Sequence, residues 1–349
     1  MNTQELDYDL PAELIAQQPA EIRSESRLLV LERKSGTLTD SVFKNIGEFL
    51  RAGDCLVLND TKVLAARFYA RRRTGGNLEG LFLKRENNGV WDVMLKGAGK
   101  VKAREKIWLK NVHGEDYCAA EVVEKKEDGK CLLNIEKDSQ AEKILEEIGF
   151  APVPPYIKRD AYFEQATKDR QRYQTVYAKQ PGAIAAPTAG LHFTKELING
   201  LEGRGIKFAY ITLHVGEGTF KPVKTEKLVE HRMHAEYFSI DERNARIIND
   251  TKQAGGGIIA VGTTSVRTLE ASAKDSTVNA MSGQTELFIL PGYRFKIVDA
   301  MVTNFHLPRS TLLALVSAFT GLETILSIYR YAIEKRYRFY SYGDTMLII

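Results

Sequence analysis

Short runs of consecutive apolar residues mark the first third of the chain. Arg27-Leu28-Leu29-Val30-Leu31 and Cys55-Leu56-Val57-Leu58 are too short for helices and are bounded by turn residues, which predicts buried strands. Between them, residues 43–50 have helical spacing, and Pro11-Ala12-Glu13-Leu14-Ile15 can open a short helix with proline in its first turn. The second run ends at Asn59-Asp60-Thr61.

The pattern then changes. Alternating runs at 79–84, 90–95, 106–109, 117–123 and 131–135 are separated by turn signals such as Thr74-Gly75-Gly76 and Lys96-Gly97-Ala98-Gly99. Five short strands at this spacing predict a small antiparallel barrel. A helical stretch at 141–148 and the stiff Ala151-Pro152-Val153-Pro154-Pro155-Tyr156 close the segment.

After Tyr156 the longer periods return. Three times an apolar run or loop delivers polar residues to a helix start: 183–186 into Pro187-Thr188-Ala189-Gly190-Leu191-His192, 257–261 into Gly262-Thr263-Thr264-Ser265, and 295–302 into Thr303-Asn304-Phe305-His306. In open α/β sheets ligands bind at such carboxyl ends of strands, and free N–H groups at helix starts suit anions. A last helix uses Leu322, Ile325, Leu326, Tyr329 and Ile333, and the apolar tail 346–349 can form a final strand. The predicted architecture is an α/β main domain with a mixed sheet, built from both ends of the chain (1–66 and 153–349), with an inserted antiparallel β-barrel domain at 67–152.

At 349 residues, 44% hydrophobic and 27% charged, the chain is long enough for about two ordinary globular domains. No apolar run approaches the roughly 20 residues of a membrane helix, and the acidic, polar N-terminus is no signal peptide. Cys55, Cys118 and Cys131 form no CxxC pair, which suits reduced thiols in a cytoplasmic protein. Residues 67–110 hold twelve Lys and Arg against four Asp and Glu, a local +8 in a chain of net +4. Such asymmetry points to a polyanion partner on the barrel, or to a solvated face.

Five of six histidines lie between His192 and His306, several at predicted strand ends, where His can move protons near neutral pH. His231-Arg232-Met233-His234-Ala235-Glu236 would put two histidines on one helix face, but a third metal ligand is not evident and no metal is expected. Gly262-Thr263-Thr264-Ser265-Val266 lacks the second glycine of a nucleophile elbow; with Arg267 it reads as an anion cradle or as plain helix capping. Neither a Walker A sequence nor G-x-G-x-x-G is present, which argues against nucleotide-cofactor redox chemistry. The strand ending Tyr210-Ile211-Thr212-Leu213-His214 empties into the glycine-rich Gly216-Glu217-Gly218, with Thr212 and His214 on one face.

Several segments together are specific. SRLLVL (26–31), LVLNDTKVLAAR (56–67), PPYI (154–157), RYQTVYA (172–178), APTAGLHFT (186–194), ITLHVGEGTFKPV (211–223), HRMHAE (231–236), AVGTTSVRTLE (260–270), PGYRFKIVDAMVTNFHLPRSTL (291–312) and RYRFYSYGD (336–344) run in order along the chain. The sequence resembles the S-adenosylmethionine:tRNA ribosyltransferase-isomerases of queuosine biosynthesis over essentially its whole length. The barrel matches least closely, and Glu217 stands where an apolar residue is expected.

The resemblance implies that the ribosyl part of S-adenosylmethionine is transferred to 7-aminomethyl-7-deazaguanine at the tRNA wobble position and rearranged to an epoxycyclopentane. The products are epoxyqueuosine in tRNA, adenine and methionine. S-adenosylmethionine is consumed as a substrate and no resident cofactor is implied. The chemistry requires a base for a weak carbon acid beside the sulfonium, at C5′, a proton or hydrogen bond for departing adenine, a neutral attacking amine and an anchor for the methionine carboxylate. Within the matching motifs, His192, His214 and His306 are the expected proton-transfer groups. Thr188, Thr263, Thr264, Ser265 and Arg267 are the expected polar anchors, and Asp299, Asn304, Tyr342 and Asp344 candidates for ribose hydroxyls or ammonium groups. Arg71, Arg72, Arg73, Lys100, Lys102 and Arg104 on the barrel are the expected tRNA phosphate contacts. The chain is expected to act as a monomer away from membranes. A tRNA methyltransferase using the same substrate, or a non-catalytic RNA-binding protein, are the alternatives. The fate of the methyl group and the release of adenine separate them.

Overall fold

The computed structural model describes residues 1–86, 88–137, 140–159, 162–216, 223 and 225–349, without the side chains of 162–166. Glu217 and Gly218 of the glycine-rich turn lie outside the described residues. The chain forms two compact units, one of Met1–Lys62, Pro154–Ile157 and Thr175–Ile349, the other of Val63–Val153 and Lys158–Gln174.

The first unit holds a mixed sheet that has nine strands among the described residues. They are β1 (Arg27–Glu32), β2 (Thr37–Val42), β3 (Cys55–Asn59), β4 (Lys207–Leu213), β5 (Glu236–Ile240), β6 (Ile258–Val261), β7 (Met281–Thr285), β8 (Ala300–Asn304) and β9 (Thr345–Ile348). Their order is β7-β5-β4-β3-β6-β8-β9-β1-β2. The central β4, β3, β6 and β8 run parallel, and β5, β7, β9 and β2 bring antiparallel pairings. Parallel strands buried on both faces read as unbroken apolar runs, and every residue of β3, β6 and β8 is buried. Alternation divides them between two cores: Cys55 and Val57 join Leu29 and Leu31 on one face, Leu56 and Leu58 join Leu28 and Val30 on the other.

The helices of this unit are α1 (Lys195–Gly203), α2 (Glu242–Gln253), α3 (Thr263–Ala271), α4 (Thr311–Thr320) and α5 (Leu322–Glu334). Ser310 Oγ caps α4 by accepting from Leu313 N at 3.2 Å. Gly321, at φ +91°, lets the chain bend by 111° into α5, so no single helix among the described residues is long and apolar enough to cross a membrane.

Four local expectations change. Residues 43–50 form a 3₁₀ helix, Phe43–Phe49, rather than an α-helix. It contains Gly47, where a Cβ would lie 2.8 Å from Leu201 Cδ2. Likewise 11–15 gives only a 3₁₀ turn, Ala12–Leu14. The helix after β6 begins at Thr263, so the three hydroxyl residues lie inside it. His231 and His234 lie on a loop between a 3₁₀ turn and β5, not on a helix face.

The second unit contains a closed antiparallel barrel, in the order Lys130–Ile135, Trp91–Lys96, Asn77–Arg85, Arg67–Arg72, Lys106–Lys110, Asp116–Lys125, closing back on the first. The strand Arg67–Arg72 escapes the sequence pattern because its inward residues, Phe68 and Ala70, are masked by four charged or polar neighbours. Gly80 opposite is obligatory: a Cβ there would lie 2.1 Å from Phe68 Cζ. Phe82 packs edge-on against Trp91, with centroids 4.8 Å apart, inside the barrel.

Candidate active site

Four chain segments leave the parallel strands at one edge of the sheet. β3 passes into Asp60-Thr61, β4 into His214, β6 into Gly262 and α3, and β8 into Phe305-His306. The turn Thr188–His192 packs against β8. Gly262 takes φ +88° at the strand-to-helix step, a backbone state other residues adopt only with strain.

Thr188, Thr263, Thr264, Thr303, Asn304 and His306 line a cleft at this edge. Thr264 Oγ1 and Asn304 Oδ1 are buried there without a hydrogen-bond partner among the described residues, their residues being only 9% and 2% exposed. An unsatisfied buried polar atom costs about 1–3 kcal/mol, which a polar ligand in the cleft would repay.

Asn304 Nδ2 donates to Tyr340 O at 3.1 Å and Asp344 O at 3.4 Å, and these carbonyls fix the amide's orientation. The same nitrogen lies 3.3 Å from His192 Nε2, which must therefore accept. The His192 proton then sits on Nδ1, 2.6 Å from Ser26 Oγ. Burial, with Arg338 and Arg23 nearby, pushes the His192 pKa down to about 3. His306 is likewise pushed to about 3 by burial, and its Nε2 lies 2.7 Å from Thr303 Oγ1. Its backbone is held by Tyr329 Oη, which accepts from His306 N at 2.8 Å, and by Tyr8 Oη, which donates to His306 O at 2.5 Å. His214 is half-buried, its pKa also lowered by burial. Thr61 Oγ1 is 2.8 Å from its Nδ1, and Tyr237 stacks on it at 5.5 Å.

Other expected site residues stand elsewhere. Asp299 is at the opposite, amino end of β8, where its carboxylate accepts from Ile258 N at 2.9 Å and meets Lys252 at 3.5 Å. Arg267 is buried in α3 and bonded to the Glu236 carboxylate and to Leu287 O, so it has internal partners rather than an open fork. It borders a separate small pocket with His231 and His234. Ser265 Oγ donates back to Val261 O at 2.8 Å. Asp344 accepts from Arg27 N and Arg338 N, tying β1 to the turn before β9. Tyr342 is buried.

The sequence reading passed over a larger cavity of about 460 Å³ in the same unit, lined by Asp60, Tyr177, Lys179, Tyr210, Thr212 and Arg243 among others. Its signal was a carboxylate placed directly after β3, every residue of which is buried, a costly position unless it is used.

On the barrel, the expected tRNA contacts divide. Arg71 pairs with Asp116 at 2.5 Å, and Arg72 grips both oxygens of Glu105 at 2.7 and 3.0 Å. Arg73, Lys100, Lys102 and Arg104 are exposed and make no ion pair among the described residues.

A sequence model of the family described as queuosine biosynthesis protein matches residues 3–348. The chain is 51% identical to the S-adenosylmethionine:tRNA ribosyltransferase-isomerase of Acetivibrio thermocellus over 350 aligned positions, covering 100% of both chains. It is 48% identical to the protein of the same name from Caldanaerobacter subterraneus subsp. tengcongensis, again covering both chains completely. The crystal structure of an S-adenosylmethionine tRNA ribosyltransferase from Thermotoga maritima is 37% identical and superposes with a TM-score of 0.56. That match covers 99% of this chain and 100% of that one. With a full-length family match, relatives near half identity and a shared fold, the chain belongs to the queuosine biosynthesis protein family.

Proposed function

We propose that this protein is an S-adenosylmethionine:tRNA ribosyltransferase-isomerase. It moves the ribosyl group of S-adenosylmethionine onto 7-aminomethyl-7-deazaguanine at the tRNA wobble position and releases adenine and methionine. S-adenosylmethionine is consumed, with no resident cofactor, and the protein works as a cytoplasmic monomer. Full-length relatives carrying that name support the reaction. The observation that supports this site is the cleft at the α3 start, where Thr264 Oγ1 and Asn304 Oδ1 are buried and have no hydrogen-bond partner among the described residues.

In this reading, ribose hydroxyls donate to Asn304 Oδ1 and exchange a hydrogen bond with Thr264. Thr188 and Thr263 complete the polar wall. His192, with both nitrogens engaged, positions Asn304 and moves no proton. His306 and His214 are neutral at pH 7, and half-buried His214 is the more accessible of the two for proton transfer. On the barrel, Arg73, Lys100, Lys102 and Arg104 contact tRNA phosphates. The wobble base enters splayed from the anticodon loop, as sequence-specific RNA recognition usually requires.

The test is to incubate the protein with precursor tRNA and S-adenosylmethionine labelled in its methyl group. Free adenine, a tRNA mass increased by the rearranged ribosyl unit and label retained in methionine are expected. Label on tRNA would make it a methyltransferase; absence of adenine would leave an RNA-binding protein.

A further inference from the structure

The 460 Å³ cavity contains none of the residues assigned above, yet it is built around a fixed carboxylate. Asp60 N donates to Ile211 O at 2.8 Å, and Asp60 O accepts from Lys179 N at 2.7 Å and Gln180 N at 3.1 Å. Thr212 Oγ1 donates to Asp60 Oδ1 at 2.6 Å, and no ion pair reaches Asp60 among the described residues. A carboxylate 9% exposed, with acceptor capacity left over and no cation paired to it, suits a cationic hydrogen-bond donor. Tyr177 and Tyr210, with centroids 6.1 Å apart and planes inclined at 59°, supply aromatic wall for a flat ring. One short stretch links this cavity to the cleft at α3. Thr61, after Asp60, holds His214, and Val215, after His214, lines the cleft.

Resting on the reaction assigned above, we propose that this cavity receives the wobble base, and that Asp60 binds its aminomethyl ammonium and takes one proton from it. A primary alkylamine is protonated at neutral pH and has no lone pair for attack. In the transfer, one N–H bond breaks and one O–H bond forms on Asp60. The electron pair stays on nitrogen and nothing is oxidised. Burial raises the Asp60 pKa above the ordinary carboxylate range, which makes it a better base; Lys179 opposes the shift and Asp241 reinforces it. Arg243, Tyr177 and Tyr210 are the other titratable groups facing the cavity.

Wild type and Asp60→Asn are compared with anticodon hairpins carrying either 7-aminomethyl-7-deazaguanine or guanine, in both binding and adenine release. Asp60→Asn is expected to lose about tenfold to a hundredfold of the preference for the aminomethyl hairpin, the worth of a hydrogen bond to a charged group. It should also lose the acid limb of the kcat/KM profile and keep its S-adenosylmethionine affinity. Asp60→Glu should restore part of the preference. An unchanged preference in Asp60→Asn overturns the proposal. If wild type releases no adenine, the reaction assigned above fails, while hairpin binding still decides the role of Asp60. Should Asp60→Asn not fold, Thr212→Val removes the donor to the carboxylate and is expected to move the acid limb to higher pH; an unmoved limb overturns the proposal equally.

Discussion

The histidines at the strand ends share a residue type but not an environment. His192 and His306 are buried and held neutral, with pKa values near 3 against 6.5 in the unfolded chain. Because their folded pKa is depressed, the stability they contribute is complete above about pH 6.5 and is lost as pH falls toward 3. As pH falls below 6.5, each is expected to lower the unfolding free energy with a slope that approaches about 1.4 kcal/mol per pH unit near pH 5. Urea unfolding at pH 7 and pH 5 measures this, and His306→Gln should flatten the dependence. A second outcome separates proton transfer from positioning. His214→Ala is expected to lower kcat by about a hundredfold or more, the usual worth of a positioned acid or base, while leaving S-adenosylmethionine affinity intact. His192→Ala, through Asn304, should weaken that affinity instead. Isothermal binding and adenine release measure the two; equal turnover for His214→Ala and wild type removes His214 from the mechanism. The sequence marks these histidines because they follow apolar runs. It is silent on protonation, which depends on Ser26 and Asn304 reaching His192 from 166 and 112 positions away.

Among the elements, α3 is unusual, because all residues from Thr263 to Glu270 are buried. A polar helix tolerates burial where most of its side chains are satisfied, and here Thr264 Oγ1 is the exception. Glu270 shows how: its carboxylate accepts from Lys296 N, Ile297 N and Val298 N at 2.9–3.1 Å and from Tyr293 Oη at 3.1 Å. Glu270→Ala would strand the buried Ile297 and Val298 N–H groups and is expected to cost about 3 kcal/mol or more. Thermal unfolding checks it, and Glu270→Gln should recover part. At the other end of α3, Gly262→Ala forces a φ of +88° on an L-residue, at about 1–3 kcal/mol, and should disturb the Thr264 cleft, read as weaker S-adenosylmethionine binding. The same satisfaction rule explains the misread anchors: Ser265 and Arg267 lie in the right motif but spend their hydrogen bonds inside the fold. Strands were most legible where whole runs are apolar, as in β6. They were least legible at Arg67–Arg72, where half-exposed cations hide an inward Phe68 and Ala70.

For the whole molecule, the charge asymmetry survives folding but is redistributed. Asp116 and Glu105 neutralise Arg71 and Arg72, leaving Arg73, Lys100, Lys102 and Arg104 as exposed cations without ion pairs among the described residues. Charge reversal at these four is expected to raise the tRNA KM and to reduce the slope of log affinity against log salt by about 0.7–0.9 per lost phosphate contact. S-adenosylmethionine affinity should not change. Reversal at Arg71 and Arg72 should act more weakly on tRNA and more strongly on stability. Filter binding at several salt concentrations tests both, and unaltered tRNA affinity in the fourfold variant would remove the barrel from recognition.

The linear chain by itself determined the α/β class, the inserted barrel, the strand ends that carry polar groups and the family, because period and motif are local and survive without coordinates. Only the tertiary structure decided which polar atoms are left unsatisfied. Hydrogen-bond partners come from residues far apart in the chain, so it took folding to occupy Arg267 and Asp299, to leave Thr264 and Asn304 open, and to set Asp60 at a cavity.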